Sequence, residues 1–132
     1  MDGGMANNGM TPTAFENRLF QMRQKFVQTL PGRVAILADT LRECQQGVDG
    51  SFEALDRQFH ALAGTAGTFG LSAIAVTAAD GEEECGALDA SAVEASDGRY
   101  LWSLIEELEH AAMDGFAFEP TMSTVFQSMN AA

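Results

Sequence analysis

Between Phe52 and Phe69 the apolar residues fall in an alternating rhythm. Phe52, Leu55, Phe59, Leu62, Ala66 and Phe69 step by three, four, three, four and three. At 3.6 residues per turn these positions form one stripe on an α-helix, and such a seam is buried by packing against other helices. A half-buried strand would need apolar residues at every second position, and no segment shows that alternation convincingly. The chain is therefore read as all-α.

The rhythm recurs on both sides. Phe15, Leu19, Met22, Phe26 and Leu30 mark a first helix over about 13–30, with Thr11 or Thr13 to cap its start and Glu16 three after Thr13, as a capping box requires. Pro31-Gly32 is expected to break or bend the chain, because proline lacks the N–H that a helix interior needs. Val34, Leu37, Leu41 and Cys44 then mark a second helix over about 32–46. The seam above makes a third, about 51–69, with Ser51 as its cap and Gly70 as the glycine that ends it. A fourth, about 72–88, presents small residues (Thr77, Ala78, Gly81, Cys85) beside Ile74, which lets a neighbour approach closely. Leu101, Leu104, Ile105 and Leu108 mark a fifth over about 99–113. Short connections between such helices predict an antiparallel four-helix bundle with an additional N-terminal helix. Residues 1–12, with their Gly/Asn-rich start, are expected to form a flexible leader; 13–113 the bundle; and 114–132 a tail or linker without clear periodicity.

Bulk properties exclude several functions. A net charge of −12 repels nucleic acid and anionic membrane alike. No run of 18 apolar residues is present, and the start has neither the basic nor the apolar region of a signal peptide. Cys44 and Cys85 lack CxxC spacing and are expected as reduced thiols of a cytoplasmic protein, and a monomer is expected. His60, Glu82, Cys85 and His110 contain no ligand pair at i, i+4 His/Glu spacing, so no metal site is expected. "GTAGTFG" lacks the Lys-Ser/Thr of a phosphate-binding loop and follows no strand. His110, near a helix C-terminus, suits the helix dipole.

His60 is different. On the third helix it lies about 130° from the centre of the seam, toward water, with Arg57 and Gly64 on the same flank and Gly67 near it. Each interior glycine costs a helix about 0.5–1 kcal/mol relative to alanine. Gly64 and Gly67 serve either close packing of a neighbouring helix or access of a second protein to the imidazole. A neutral exposed imidazole has a nucleophilic ring nitrogen, which suits it to accept a phosphoryl group; a surface histidine with no role looks the same in isolation.

"HALAGTAGTFG" resembles the active-site helix of histidine-containing phosphotransfer (HPt) domains, with His60, Leu62, Gly64, Ala66 and Gly70 in register. The resemblance implies a phosphocarrier of a two-component relay rather than a stand-alone catalyst. His60 would accept a phosphoryl group from a receiver-domain aspartate, or from a sensor histidine kinase, and pass it to another receiver aspartate. It implies no cofactor on this chain; the magnesium ion is expected on the partner receiver. The family's lysine three residues after the histidine is Ala63 here. Arg57, one turn before His60, is a candidate for the missing charge. Some members place a glutamate on the next helix to hydrogen-bond the ring, and Glu82, 22 residues on, falls at that place; "GEEE" would otherwise read as a solvated charge run. The docking face is expected to be apolar, drawing on the first, third and fourth helices, with Phe15 or Leu19, Phe59, Ala63, Gly64 and Gly67 contributing. The alternative is a receiver- or kinase-docking helical module that carries no phosphate, as the lost lysine would suit.

Overall fold

The computed structural model describes residues 12–90, 93 and 98–113. Four helices account for nearly all of them: α1 (Pro12–Gln45), α2 (Ser51–Thr68), α3 (Ser72–Ala87) and α4 (Arg99–Met113). No strand occurs among the described residues. The expected tail, 114–132, lies outside them, as does the expected leader apart from Pro12, which opens α1.

The first two expected helices are one. Helix α1 runs 34 residues straight through Pro31, so the additional N-terminal helix is not a separate element. The reason lies in the buried stripe. Phe26, Leu30, Val34, Leu37, Leu41 and Cys44 keep helical phase across the proline, and all are buried. An interior proline costs about 3 kcal/mol, whereas burying one Leu or Val side chain contributes about 1.5–3 kcal/mol. Keeping Leu30 and Val34 in phase therefore offsets the loss. Side chains brace the same turns: Thr29 Oγ1 donates to the Phe26 carbonyl (2.7 Å) and accepts from Arg33 Nε (2.8 Å). The Arg33 guanidinium also lies 5.1 Å from the centre of the Phe26 ring.

The chain then turns through Gly47 and Gly50, both at positive φ (73° and 79°), a conformation open to glycine and strained for most side chains. Gly50 rather than Ser51 is the N-cap of α2, and it supplies no side-chain bond. Ser51 is buried and donates backward to the Val48 carbonyl (2.6 Å), fixing the turn instead of capping the helix. Helix α2 runs antiparallel to α1, as the far ends show. The Phe26 and Phe69 rings meet at 5.6 Å, and Arg23 Nε donates to the Phe69 carbonyl (3.2 Å). Gly70 (φ 74°) ends α2: its N–H reaches the Gly67 carbonyl (3.1 Å) and the Leu71 N–H reaches that of Ala66 (2.9 Å). That paired closure is a Schellman motif, and buried Leu71 completes it. Helix α3 returns beside α2, the pair with the most extensive contact among the described helices. Helix α4 starts against the end of α1, where Trp102 Nε1 donates to Gln45 Oε1 (3.3 Å).

The α2 seam enters the core as the spacing requires: Leu55, Phe59, Leu62 and Ala66 are buried, while Phe52 and Phe69 pack at its rim. The early turns of α1 do not follow expectation. Phe15 is 55% exposed and Met22 is exposed, Leu19 is half-buried, and the stripe enters the core only at Phe26.

Pro31→Ala should stabilise the protein by about 1–3 kcal/mol, since Pro31 is exposed and the variant restores an N–H for the Val27 carbonyl. Urea unfolding measures it; a lower midpoint would mean that the bundle needs the proline where it is.

Candidate functional site

Two neighbouring pairs on α2 and α3 build the site. Phe59 is fully buried, and its ring lies over Gly81 of α3. A β-carbon at Gly81 would come within 2.5 Å of Phe59 Cδ1 and 2.7 Å of Cζ, far inside the 3.5–4.0 Å at which carbons pack. The glycine is what lets the two helices close. The next residue on each helix points outward, and these two meet: His60 Nδ1 lies 2.7 Å from Glu82 Oε2. The His60 side chain is 75% exposed and that of Glu82 37%.

The pairing has a chemical consequence. An ionised carboxylate only accepts hydrogen bonds, so Nδ1 carries the proton and donates it to Glu82. In the neutral ring the lone pair then sits on Nε2. One exposed nitrogen is left as a nucleophile, and the ring is held at its other nitrogen.

The remaining expected residues fall as follows. Arg57 is exposed one turn before His60, and no hydrogen bond or ion pair ties it to His60, Glu82 or any other described residue. Ala63 is half-buried against the core. Gly64 and Gly67 are exposed, and a β-carbon on either would meet nothing within 4 Å. Close packing of a neighbouring helix in the described fold therefore does not explain them, and an open flank beside His60 remains. Phe59 corrects the docking expectation: sealed in the core, it cannot touch a partner. Leu19 and Phe20 of α1 line a cleft of about 220 Å³ with Gly67 and Phe69. His110 is exposed on α4, and among the described residues no three His, Cys, Asp or Glu side chains gather to hold a metal ion.

The Hpt domain family model matches residues 21–113. The chain belongs to that family. No curated protein and no solved structure matches it. Hpt domains serve phosphotransfer in two-component systems, working with receiver domains and kinases, and the match spans Phe59, His60, Gly81 and Glu82. No described helix of this Hpt domain is long and apolar enough to cross a membrane.

The contact between Phe59 and Gly81 was missed by sequence reasoning, which placed Phe59 at the surface near His60. Its signal was present in the seam, where Phe59 is central, and in the small-residue face of α3, where Gly81 lies between Ala78 and Cys85.

Both thiols of the Hpt domain are free and buried. Burial pushes the Cys44 thiol up; burial, then the nearby Asp56 carboxylate, pushes Cys85 up to about 12 from 9.0. The unfolded chain gives up the Cys85 proton near 9.0 and the native one only near 12, so this thiol's contribution to stability is lost as pH rises across that interval. Native protein at pH 8 should react slowly with a thiol reagent and release two equivalents only after unfolding in guanidinium. A fast equivalent from native protein would show that the core opens. Gly67→Ala should raise the stability of the fold by about 0.5–1 kcal/mol, since the added methyl relieves helix entropy and meets no neighbour. Thermal melting measures it; a lower midpoint would mean that the flank is packed.

Proposed function

We propose that His60 is the phosphoacceptor of this Hpt domain. It takes a phosphoryl group from a receiver aspartyl phosphate or a kinase, and delivers it to another receiver's aspartate. The observation that carries this reading is the exposed imidazole tied at Nδ1 to Glu82, with Nε2 free.

The Nε2 lone pair attacks phosphorus in line, the P–N bond forms, and the P–O bond to the donor aspartate breaks, releasing its carboxylate. The ring keeps its Nδ1 proton throughout and becomes cationic as the bond forms. Glu82 stabilises that charge from 2.7 Å. In the onward step the acceptor carboxylate attacks, the P–N bond breaks, and the ring is neutral again. No proton has to leave. Phosphoryl transfer asks mainly for alignment and charge compensation, so a positioned imidazole suffices on this side. The magnesium ion and the remaining charge compensation come from the receiver. Arg57, unengaged in the described fold, swings toward the phosphoryl oxygens in place of the family lysine that Ala63 replaces. The bare backbone at Gly64 and Gly67 gives the partner room to reach Nε2.

The reading without phosphate rests on Ala63, and one assay separates the two. Incubation with a labelled, phosphorylated receiver should give acid-labile, base-stable label on the wild type and none on His60→Gln. Glu82→Gln should transfer about tenfold more slowly, the loss expected when a histidine's orienting partner is removed. Arg57→Ala should also be slower, with the fold intact. Receiver binding without label on the wild type would establish the docking module; wild-type rates in Glu82→Gln or Arg57→Ala would remove that residue from the mechanism.

A further inference from the structure

We infer that Gly81 is a positioning residue for phosphotransfer: the Phe59 ring seated on its bare α-carbon sets the distance between His60 and Glu82. The inference rests on the reading of Glu82 as the group that orients His60.

The two pairs are consecutive on both helices. Phe59 precedes His60, and Gly81 precedes Glu82, so whatever fixes the separation of the first pair fixes that of the second. Phe59 is fully buried, so its ring cannot retreat toward solvent. Gly81 is itself buried, and the three atoms nearest to its missing β-carbon all belong to that ring. Gly64 and Gly67 of α2 and Gly86 of α3 meet nothing within 4 Å, so this contact is particular to Gly81 among the glycines inside those helices.

The magnitudes decide the consequence. A methyl group at 2.5 Å from Phe59 Cδ1 must move out by about 1 Å to reach ordinary carbon packing. The His60–Glu82 bond is 2.7 Å. Lengthened by about 1 Å it falls outside hydrogen-bond range. A single methyl in the core would thus untie a ring on the surface.

Long-range ¹H–¹⁵N spectra of the His60 ring report which nitrogen holds the proton, a property that general destabilisation of a folded protein does not move. In the full chain, Gly81→Ala should lose the Nδ1–H tautomer preference to the extent that Glu82→Gln does, and transfer about tenfold more slowly. Phe59→Leu/Gly81→Ala exchanges ring for branched chain and hydrogen for methyl at roughly conserved volume. It should recover the wild-type tautomer and most of the rate, including where Gly81→Ala alone fails to fold. A folded Gly81→Ala protein with wild-type tautomer and rate would overturn the inference, as would a double variant that does not fold or recover. If Glu82→Gln itself keeps the wild-type tautomer and rate, the reading of Glu82 fails first. If Glu82→Gln is impaired and Gly81→Ala is not, only the positioning role fails.

Discussion

A phenylalanine ring pressed onto a glycine holds the two helices of the site together. Phe59 is the largest fully buried side chain among the described residues, and the place it fills exists because Gly81 has no side chain. Helices approach closely where one of them is smooth, and α2 and α3 share the most extensive contact among the described helices. Immediately outside that contact lie the imidazole and the carboxylate. The polar pair is thus carried on a packed apolar one, and its geometry inherits the stiffness of the core rather than the mobility of a surface.

The glycines of this segment serve three different ends. Gly81 yields space to a ring. Gly70 adopts the left-handed conformation that closes α2. Gly64 and Gly67 do neither; they leave backbone bare beside His60 and give up helix stability where a β-carbon would have met no neighbour in the described fold. Under the proposed function, that bare flank is where a partner would reach Nε2 of His60.

Much of this was legible from residue spacing. The seam of α2 was, because three-four steps admit few solutions, and so was the outward direction of His60, because a helix fixes the angle between neighbours. Gly70 as a terminator was legible from its position after the last seam residue. The continuity of α1 was not. Local propensity argues for a break at Pro31, and only the summed burial of the stripe on both sides outweighs it. Ser51 misled for a related reason: its type suits a cap, but the preceding glycine had already taken the left-handed turn, and the hydroxyl faced back into the loop. Phe59 was placed correctly in the seam and wrongly at the surface, two statements that one helix angle cannot satisfy together. Glu82 stood out only through a resemblance, since a run of three glutamates does not reveal which one faces the neighbouring helix.

The long first helix also distributes charge unevenly. Arg18, Arg23 and Lys25 are three of the seven cationic side chains of the protein, and Glu16 is the one acidic residue beside them in α1 before residue 26. The chain as a whole carries −12. Among the described residues the start of α1 is therefore locally positive in a chain that is negative as a whole, and the peptide dipoles of α1 point the same way. A charged protein diffusing toward it exerts a torque before any surfaces touch, so the two rotate into a preferred orientation while still separated by solvent.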